Sequence, residues 1–513
     1  MTAINRVVKN TWILYVRMAL TVFISLYATR LTLSALGITD FGLFNLVGGV
    51  ISMLTFLNTA MAAATQRFMS FAEGAGNHKK QKEIFNVSTI LHIIIAILVF
   101  LVLEIVGYFL FDKVLEIPAD RLETAKMILQ FMVVSTVFTI ISVPYDAVIN
   151  AHENMLLFAI LGVIESIFKL GIAFFLFVTP YDKLTTYGLL MAFLSIVLLF
   201  IRRIYCHRKY QECEIDFKKH FSKSTFKEMA SFAGWSFMGA SSSMIANYGQ
   251  GIVLNVFFGP VVNAAQAISS QVGGQLGAFA MNMLKAVNPI IAKSEGSGDR
   301  SLMINASNYS AKFAFFLLMV FVTPVFIEMP FIFKLWLKEV PLYAIIFCRL
   351  LLIRMLIEQL YIPLSVAISA VGNIKSYQIY SSIINIVPLI IAFILFKLGS
   401  SPEILYVIFI IYSVLSFVIT IYFAKKIYDL SICFFLLKIV SPTIIILLIV
   451  TLFSSVPLIL MQESYSRLFV VIICTTNISL LGIWYGGLSF QERNNISIML
   501  KQKLKFRKSK VIL

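Results

Sequence analysis

Charge is what this sequence has least of. Asp, Glu, Lys and Arg make up 13% of its 513 residues, against about 25% in ordinary globular chains. With 59% apolar residues, the chain has too little polar surface to face water on all sides, which excludes a cytosolic enzyme. The same apolar content excludes disorder, which needs low hydrophobicity and high charge. Cysteine is also scarce: Cys206, Cys213, Cys348, Cys433 and Cys474 are scattered, which excludes a disulfide framework. Cys206, His207 and Cys213 fall in one loop but lack a fourth ligand at zinc-module spacing, so no metal site is read there. The N-terminus lacks a small-x-small cleavage site before Arg30, so its apolar run reads as a retained first helix, not a signal peptide. Acids are fewer than bases, 25 against 42, for a formal net charge of +17.

Long apolar runs are what the sequence has in abundance. A bilayer core of about 30 Å needs about 20 mostly apolar residues per spanning helix. Fourteen such runs can be marked, at 11–34, 41–66, 86–110, 127–149, 155–178, 184–201, 228–257, 262–290, 309–333, 343–370, 376–397, 403–424, 433–454 and 467–487. They are continuous, without the short alternating segments of a β-barrel. The expected fold class is therefore all-α integral membrane, with about 14 transmembrane helices. Loop charge orients it. With the N-terminus inside, 26 of the 42 Lys and Arg fall in cytoplasmic segments and 6 in outer ones, as the positive-inside rule requires. The basic surplus thus marks topology and not nucleic acid, and both termini are expected in the cytoplasm. Its two densest clusters, eight charges in 202–227 and six in the tail at 501–510, suit anchoring to anionic headgroups at about 1 kcal/mol per charge.

The chain also repeats itself. Leu36-Gly37 is followed by Glu73-Gly74-Ala75-Gly76-Asn77, and Phe258-Gly259 by Glu295-Gly296-Ser297-Gly298-Asp299, with 36 residues from Gly37 to Glu73 and from Gly259 to Glu295. A second pair of matches, Ile149-Asn150-Ala151 with Asn154 against Ile368-Ser369-Ala370 with Asn373, and 173–177 against 392–396, runs at an offset of 219 where the first runs at 222. Six helices is an even number, so the copies share orientation, as in transporters with two parallel lobes. The expected domains are 1–227 (helices 1–6 and a basic linker), 228–430 (helices 7–12) and 431–513 (two added helices and the tail), with a central cavity between the lobes.

Polar side chains within spans face protein or water, not lipid. In helix 8, Gln271, Gln275, Asn282 and Lys285 fall on one stripe at about 100° per residue. The repeat-related helix 2 carries Thr55, Thr59 and Gln66, and helix 7 carries Ser243, Asn247 and Gln250. Such residues also serve as interhelical glue. Charges are the sharper signal: Arg17 and Arg30 in helix 1, Lys285, and Arg349 and Arg354 in helix 10. A charge at the bilayer centre costs about 2.5–3.5 kcal/mol or more, so Arg354 at mid-depth is a functional candidate, while Arg17, Arg30 and Arg349 can also snorkel. Arg354 with Glu358, and Glu165 with Lys169, stand at pairing distance along a helix. An excess of Arg and Lys suits an anionic ligand, because a guanidinium matches phosphate oxygens bidentately. No catalytic triad, P-loop or nucleotide fingerprint is present, so the chain is not read as an enzyme.

The 6+6+2 plan, the Arg-bearing first helix, the opening Asn10-Thr11-Trp12, Arg30-Leu31, Leu36-Gly37 and Asp40-Phe41-Gly42, and the two Glu-Gly-x-Gly loops resemble the polysaccharide (O-antigen and capsule repeat-unit) flippases of the multidrug/oligosaccharidyl-lipid/polysaccharide (MOP) exporter superfamily, whose fold is MATE-like. The resemblance implies alternating-access transfer of undecaprenyl-pyrophosphate-linked oligosaccharide units across a bacterial inner membrane through a cationic cavity. It implies Arg17, Arg30, Lys285 and Arg354 as the lining, with polysaccharide assembly enzymes as partners beside the lipid-linked substrate and the bilayer. The candidate substrate-binding set is then Arg17, Arg30, Lys285, Arg354, Gln271, Gln275, Asn282, Gln66 and Asn247. No cofactor is implied, and coupling to protons or Na⁺ stays open. Two alternatives share the plan: a lipid-linked peptidoglycan precursor flippase, and a cation-coupled multidrug exporter using Glu104, Asp146, Glu165 or Glu358.

Overall fold

The computed structural model describes residues 3–53, 55–113, 119–337, 340–494 and 497. Every regular element among them is helical: α1 (Ala3–Met53), α2 (Thr55–Gly74), α3 (His78–Lys113), α4 (Leu122–Ala151), α5 (Met155–Phe175), α6 (Lys183–Lys209), α7 (Phe217–His220), α8 (Lys223–Gly296), α9 (Arg300–Ile327), α10 (Met329–Trp336), α11 (Ala344–Val371), α12 (Lys375–Lys397), α13 (Ile404–Tyr428), α14 (Ile432–Phe435), α15 (Ser441–Ser454), α16 (Val456–Leu460) and α17 (Tyr465–Gly482), with short 3₁₀ and π segments between some of them. The basic tail at 501–510 lies outside the described residues. The other basic cluster, 202–227, is largely helical: α6 runs on through Lys209, and after a short 3₁₀ turn at Gln211–Cys213 come α7 and the start of α8.

Among the described residues, ten helices are long and apolar enough to cross a membrane. The expected spans missing from that set, 41–66, 228–257, 262–290 and 343–370, are nonetheless helical. They include the three helices with polar stripes and the one with Arg349 and Arg354. This is a multi-pass membrane protein, and fourteen crossings stays the sequence's expectation.

Glycine places the turns where the repeat put them. α1 breaks at Gly37 (φ 79°, ψ 170°) and α8 at Gly259 (φ 76°, ψ −171°), a backbone region that only glycine enters without strain. Each break folds a long helix into a hairpin. At the opposite end, Gly76 and Gly298 take positive φ as helix-terminating residues. Asn77 and Asp299 then cap α3 and α9 by accepting from the Lys80 and Leu302 amides at 3.0 and 2.9 Å, the favoured N-cap chemistry. The second glycine and the Asn or Asp of the repeated loop thus have local structural tasks, and both copies perform them alike.

Buried residues divide along the sequence. One cluster draws on residues 35–184, a second on 61–232 with Ile374, and the largest on 246–450. Phe435, Ile439, Val440, Ile446 and Val450 from the last helices belong to the third cluster. Two ion pairs fix α17 and the segment after it to the same half. Arg467 donates from Nε and Nη2 to the fully buried Glu328, both at 2.8 Å, and Lys312 donates to both oxygens of Glu492 at 3.1 and 2.9 Å.

Candidate functional site

The two halves meet most closely where the repeated loops lie. A Cβ added to Gly74 would stand 1.9 Å from the Lys293 carbonyl oxygen, and one added to Gly296 would stand 2.0 Å from that of Phe71. The repeat offset of 222 carries Gly74 onto Gly296 and Phe71 onto Lys293, so the crossing of α2 and α8 is symmetric and backbone against backbone. Only glycine allows this approach. Side chains clamp it. Arg67 of α2 donates to the Ala370 carbonyl at the end of α11, at 3.1 and 2.8 Å. Lys293 of α8 reaches Glu73 at 3.5 Å and Glu153 at 3.4 Å.

His152 ties this clamp to the linker. Its ring lies between Glu73 (3.3 Å) and Glu212 (2.5 Å) and stacks on Tyr210 at 4.3 Å between centroids. Burial opposes its charge, but hydrogen bonds to Glu212 and Glu73 prevail, and His152 is pushed up to about 9. The hydrogen bond to His152 holds Glu73 down to about 2 against burial, with Lys293 and Gln81 assisting.

About 12 Å along α8 from Lys293, at 1.5 Å per residue, the halves bring two cations onto one ring. The Arg17 guanidinium of α1 lies 4.5 Å from the Phe158 centroid, and the Lys285 ammonium of α8 lies 3.7 Å from it. Phe158 belongs to α5 and packs with Leu14, Met155 and Ala286. Arg17 Nε is buried without a hydrogen-bond partner. Gly162, one turn beyond Phe158, makes room: a Cβ there would stand 2.3 Å from that nitrogen. The acids whose fields reach this pair, Glu165 and Asp146, are each bonded to another base, Lys169 at 2.7 Å and Arg202 at 2.9 Å. Each of these acids thus has a base of its own, and Arg17 and Lys285 share the face of one ring, a contact worth about 0.5–2 kcal/mol.

Neighbouring contacts hold α1 against α8 at this level. The Tyr15 hydroxyl donates to the Phe279 carbonyl at 2.9 Å, and Asn282 meets the Met18 sulfur at 3.0 Å while donating to Ala278 at 2.9 Å. Toward the hairpin end, α8 exposes Gln271 and Gln275, and among the described residues nothing beyond its own turn of helix stands within 4 Å of where a Gly274 Cβ would sit. The halves thus touch backbone to backbone at the Gly74/Gly296 crossing, and α8 carries exposed amides toward its other end.

The other sequence-selected residues lie elsewhere. Arg354 pairs with Glu358 at 2.7 Å and covers Phe409 of α13 at 4.8 Å, so its charge is matched within the second half. Arg349 donates to the Phe326 carbonyl at 3.2 Å. Arg30 and Asn247 are exposed and Gln66 is half-buried. Of the nine candidates, the structure gathers Arg17, Asn282 and Lys285 at one level. Phe158 was not foreseen, since an aromatic residue in an apolar span carries no signal of its own. Gly74 and Gly296 were foreseen as turn residues but not as the contact between halves.

Comparison with known proteins agrees with this architecture. A family model described as polysaccharide biosynthesis protein matches residues 7–295, more than half of the chain. No curated protein matches. Among solved structures, the chain resembles an outward-facing multidrug resistance MATE family transporter of the MOP superfamily (13% identity, TM-score 0.71, 83% of this chain and 95% of that one). It also resembles a Vibrio cholerae MATE transporter mutant (16% identity, TM-score 0.66, 82% and 96%). A third is a Pyrococcus furiosus MOP superfamily transporter described as having a binding pocket whose reverse polarity suggests a different function (14% identity, TM-score 0.66, 83% and 95%). The fold is MATE-like.

Proposed function

The chain belongs to the polysaccharide biosynthesis protein family, and from that premise we propose that this MOP-type transporter is a flippase for undecaprenyl-pyrophosphate-linked oligosaccharide units. It moves them from the cytoplasmic to the outer leaflet of a bacterial inner membrane by alternating access between an N-lobe (1–227) and a C-lobe (228–430), with 431–513 carried on the second lobe. The observation that carries this reading is the Arg17–Phe158–Lys285 contact, in which each half contributes one cation to a single ring. A pyrophosphate is the ligand such a pair suits. The guanidinium binds its oxygens bidentately, the ammonium acts as a point charge, and the ring contact is exchanged for a stronger ionic one. Because the cations come from different halves, their shared ligand couples binding to the relative position of the lobes.

Some of the remaining candidates take supporting places. Gln271, Gln275 and Asn282 offer hydrogen bonds to sugar hydroxyls, whereas Arg354, matched by Glu358, and Arg30, Gln66 and Asn247, away from the cation pair, take no part in this reading. The basic bias of the loops favours a cytoplasmic position for the Gly74/Gly296 crossing, and on that reading the close contact there shuts the cytoplasmic side. Outward transfer of an anion runs down the membrane potential by about 2.3 kcal/mol per charge per 100 mV.

A cation-coupled drug exporter on the same fold needs carboxylates open to a cationic ligand. Asp146, Glu165 and Glu358 are each committed to a base, which favours the anionic substrate; Glu104 accepts from the Gln130 amide at 3.0 Å and keeps its other oxygen buried without a partner among the described residues. Complementation tests the reading. In a strain deleted for this gene, Arg17→Ala and Lys285→Ala variants that insert normally are expected to lose surface glycan, and full restoration by both would refute it.

A further inference from the structure

A second site lies on the seam between the halves, at the crossing end and apart from the Arg17–Lys285 pair. A cavity of about 340 Å³ is walled by Arg67 and Phe68 of α2, by Glu228 and Trp235 of α8, and by the turn from Gly372 to Lys375 joining α11 to α12. Arg67 is held rigidly there. Its guanidinium lies 4.5, 5.0 and 5.5 Å from the ring centroids of Phe68, Phe71 and Phe232. A guanidinium has five N–H donors, and the bonds from Nε and Nη2 to Ala370 use two of them. Across the cavity the Lys375 ammonium stands 5.2 Å from the Trp235 ring. Gly372, at φ 103°, brings its backbone so near that a Cβ would stand 2.6 Å from Arg67 Nη2. The cavity therefore offers two cations against one acid, with an indole face between them.

We propose that this cavity binds a phosphate ester: Arg67 and Lys375 take the phosphate oxygens, and the attached sugar or glycerol lies against Trp235. Glu228 selects for a ligand that also carries hydroxyl donors. The walls come from both halves, so the site exists only while the crossing is closed, and an occupant holds it closed. The chemistry is shared by a soluble nucleotide and by the headgroup of an anionic phospholipid such as phosphatidylglycerol.

The full chain contains four tryptophans, Trp12, Trp235, Trp336 and Trp484, so replacing the other three by Phe isolates Trp235 fluorescence. One arm titrates UDP onto the protein in phosphatidylcholine nanodiscs, and the other replaces part of that lipid with phosphatidylglycerol. A saturable change in either arm supports the site and identifies the source. Lys375→Ala, on an exposed residue, is expected to weaken binding about tenfold, the scale of one charged contact, and Glu228→Gln to tighten it. No change in either arm, or a change that Lys375→Ala leaves intact, overturns the proposal. In a cysteine-free background, the ligand should also slow alkylation of Ser70→Cys, on the α2 turn preceding Gly74. A ligand that alters Trp235 fluorescence without slowing that labelling removes the coupling. The site stands or falls separately from glycan export, because neither readout requires transport.

Discussion

Gly74→Ala probes the closed end most sharply. The new methyl group would sit 1.9 Å from the Lys293 carbonyl oxygen, where ordinary contact begins near 3.4 Å. The obstruction is backbone on both sides, so no rotamer change relieves it, and α2 and α8 must part by about 1.5 Å. The Lys293–Glu73 and Lys293–Glu153 contacts, already 3.5 and 3.4 Å, do not survive that separation, and the Arg67–Ala370 bonds stretch with them. Overpacking of this kind costs about 1–3 kcal/mol, which lowers the closed-to-open ratio roughly 5- to 150-fold. Ser70, buried completely in the closed form, reports it: Ser70→Cys in a cysteine-free background should be alkylated faster by about that factor. Gly296→Ala should behave alike, and the double variant should add little, because one separation relieves both clashes. If both single variants leave Ser70→Cys as protected as in the parent and export glycan normally, the crossing is not the gate.

Three further outcomes follow from named contacts. His152, with its pKa raised to about 9, supports the clamp fully below its ordinary value near 6.5 and loses that contribution as pH rises through 9. Glu73, lowered to about 2, supports it above about 4.5 and fails as pH falls toward 2, so Ser70→Cys should be best protected between pH 4.5 and 6.5 and less so at pH 9.5, a difference that His152→Gln should flatten. Arg467→Ala leaves Glu328 fully buried without its ion-pair partner, and should lower stability by about 3–5 kcal/mol, while joint replacement by Arg467→Met and Glu328→Gln should recover most of it, as thermal unfolding in detergent would show. Gly37→Ala forces a side chain into a backbone region reserved for glycine and should cost about 1–3 kcal/mol, visible in the same assay as a lower midpoint.

Much of the fold was legible because membranes reward simple patterns. Apolar runs located the helices, and the paired Gly37 and Gly259 located both hairpins. The Glu-Gly-x-Gly loops were legible as helix ends, since capping is local chemistry. Arg354–Glu358 and Glu165–Lys169 were legible for the same reason, each pair standing one helical turn apart. What stayed hidden was contact between distant segments. Nothing near Glu328 signals Arg467, and Lys312 lies far along the chain from Glu492. The first glycine of each loop carries two tasks, and only the fold shows that Gly74 must meet Lys293. Phe158 was hidden differently: an apolar residue among apolar residues becomes distinctive only when Arg17 and Lys285 converge on it.

The most direct measurement is of ligand charge. Purified protein in nanodiscs, titrated with undecaprenyl pyrophosphate and separately with a cationic amphiphile, should bind the pyrophosphate and not the cation. Arg17→Glu combined with Lys285→Glu should abolish that binding while Ser70→Cys stays protected. Retained pyrophosphate affinity in the double variant, or preferential binding of the cation by the parent, would contradict a positively charged carrier site shared between the two halves.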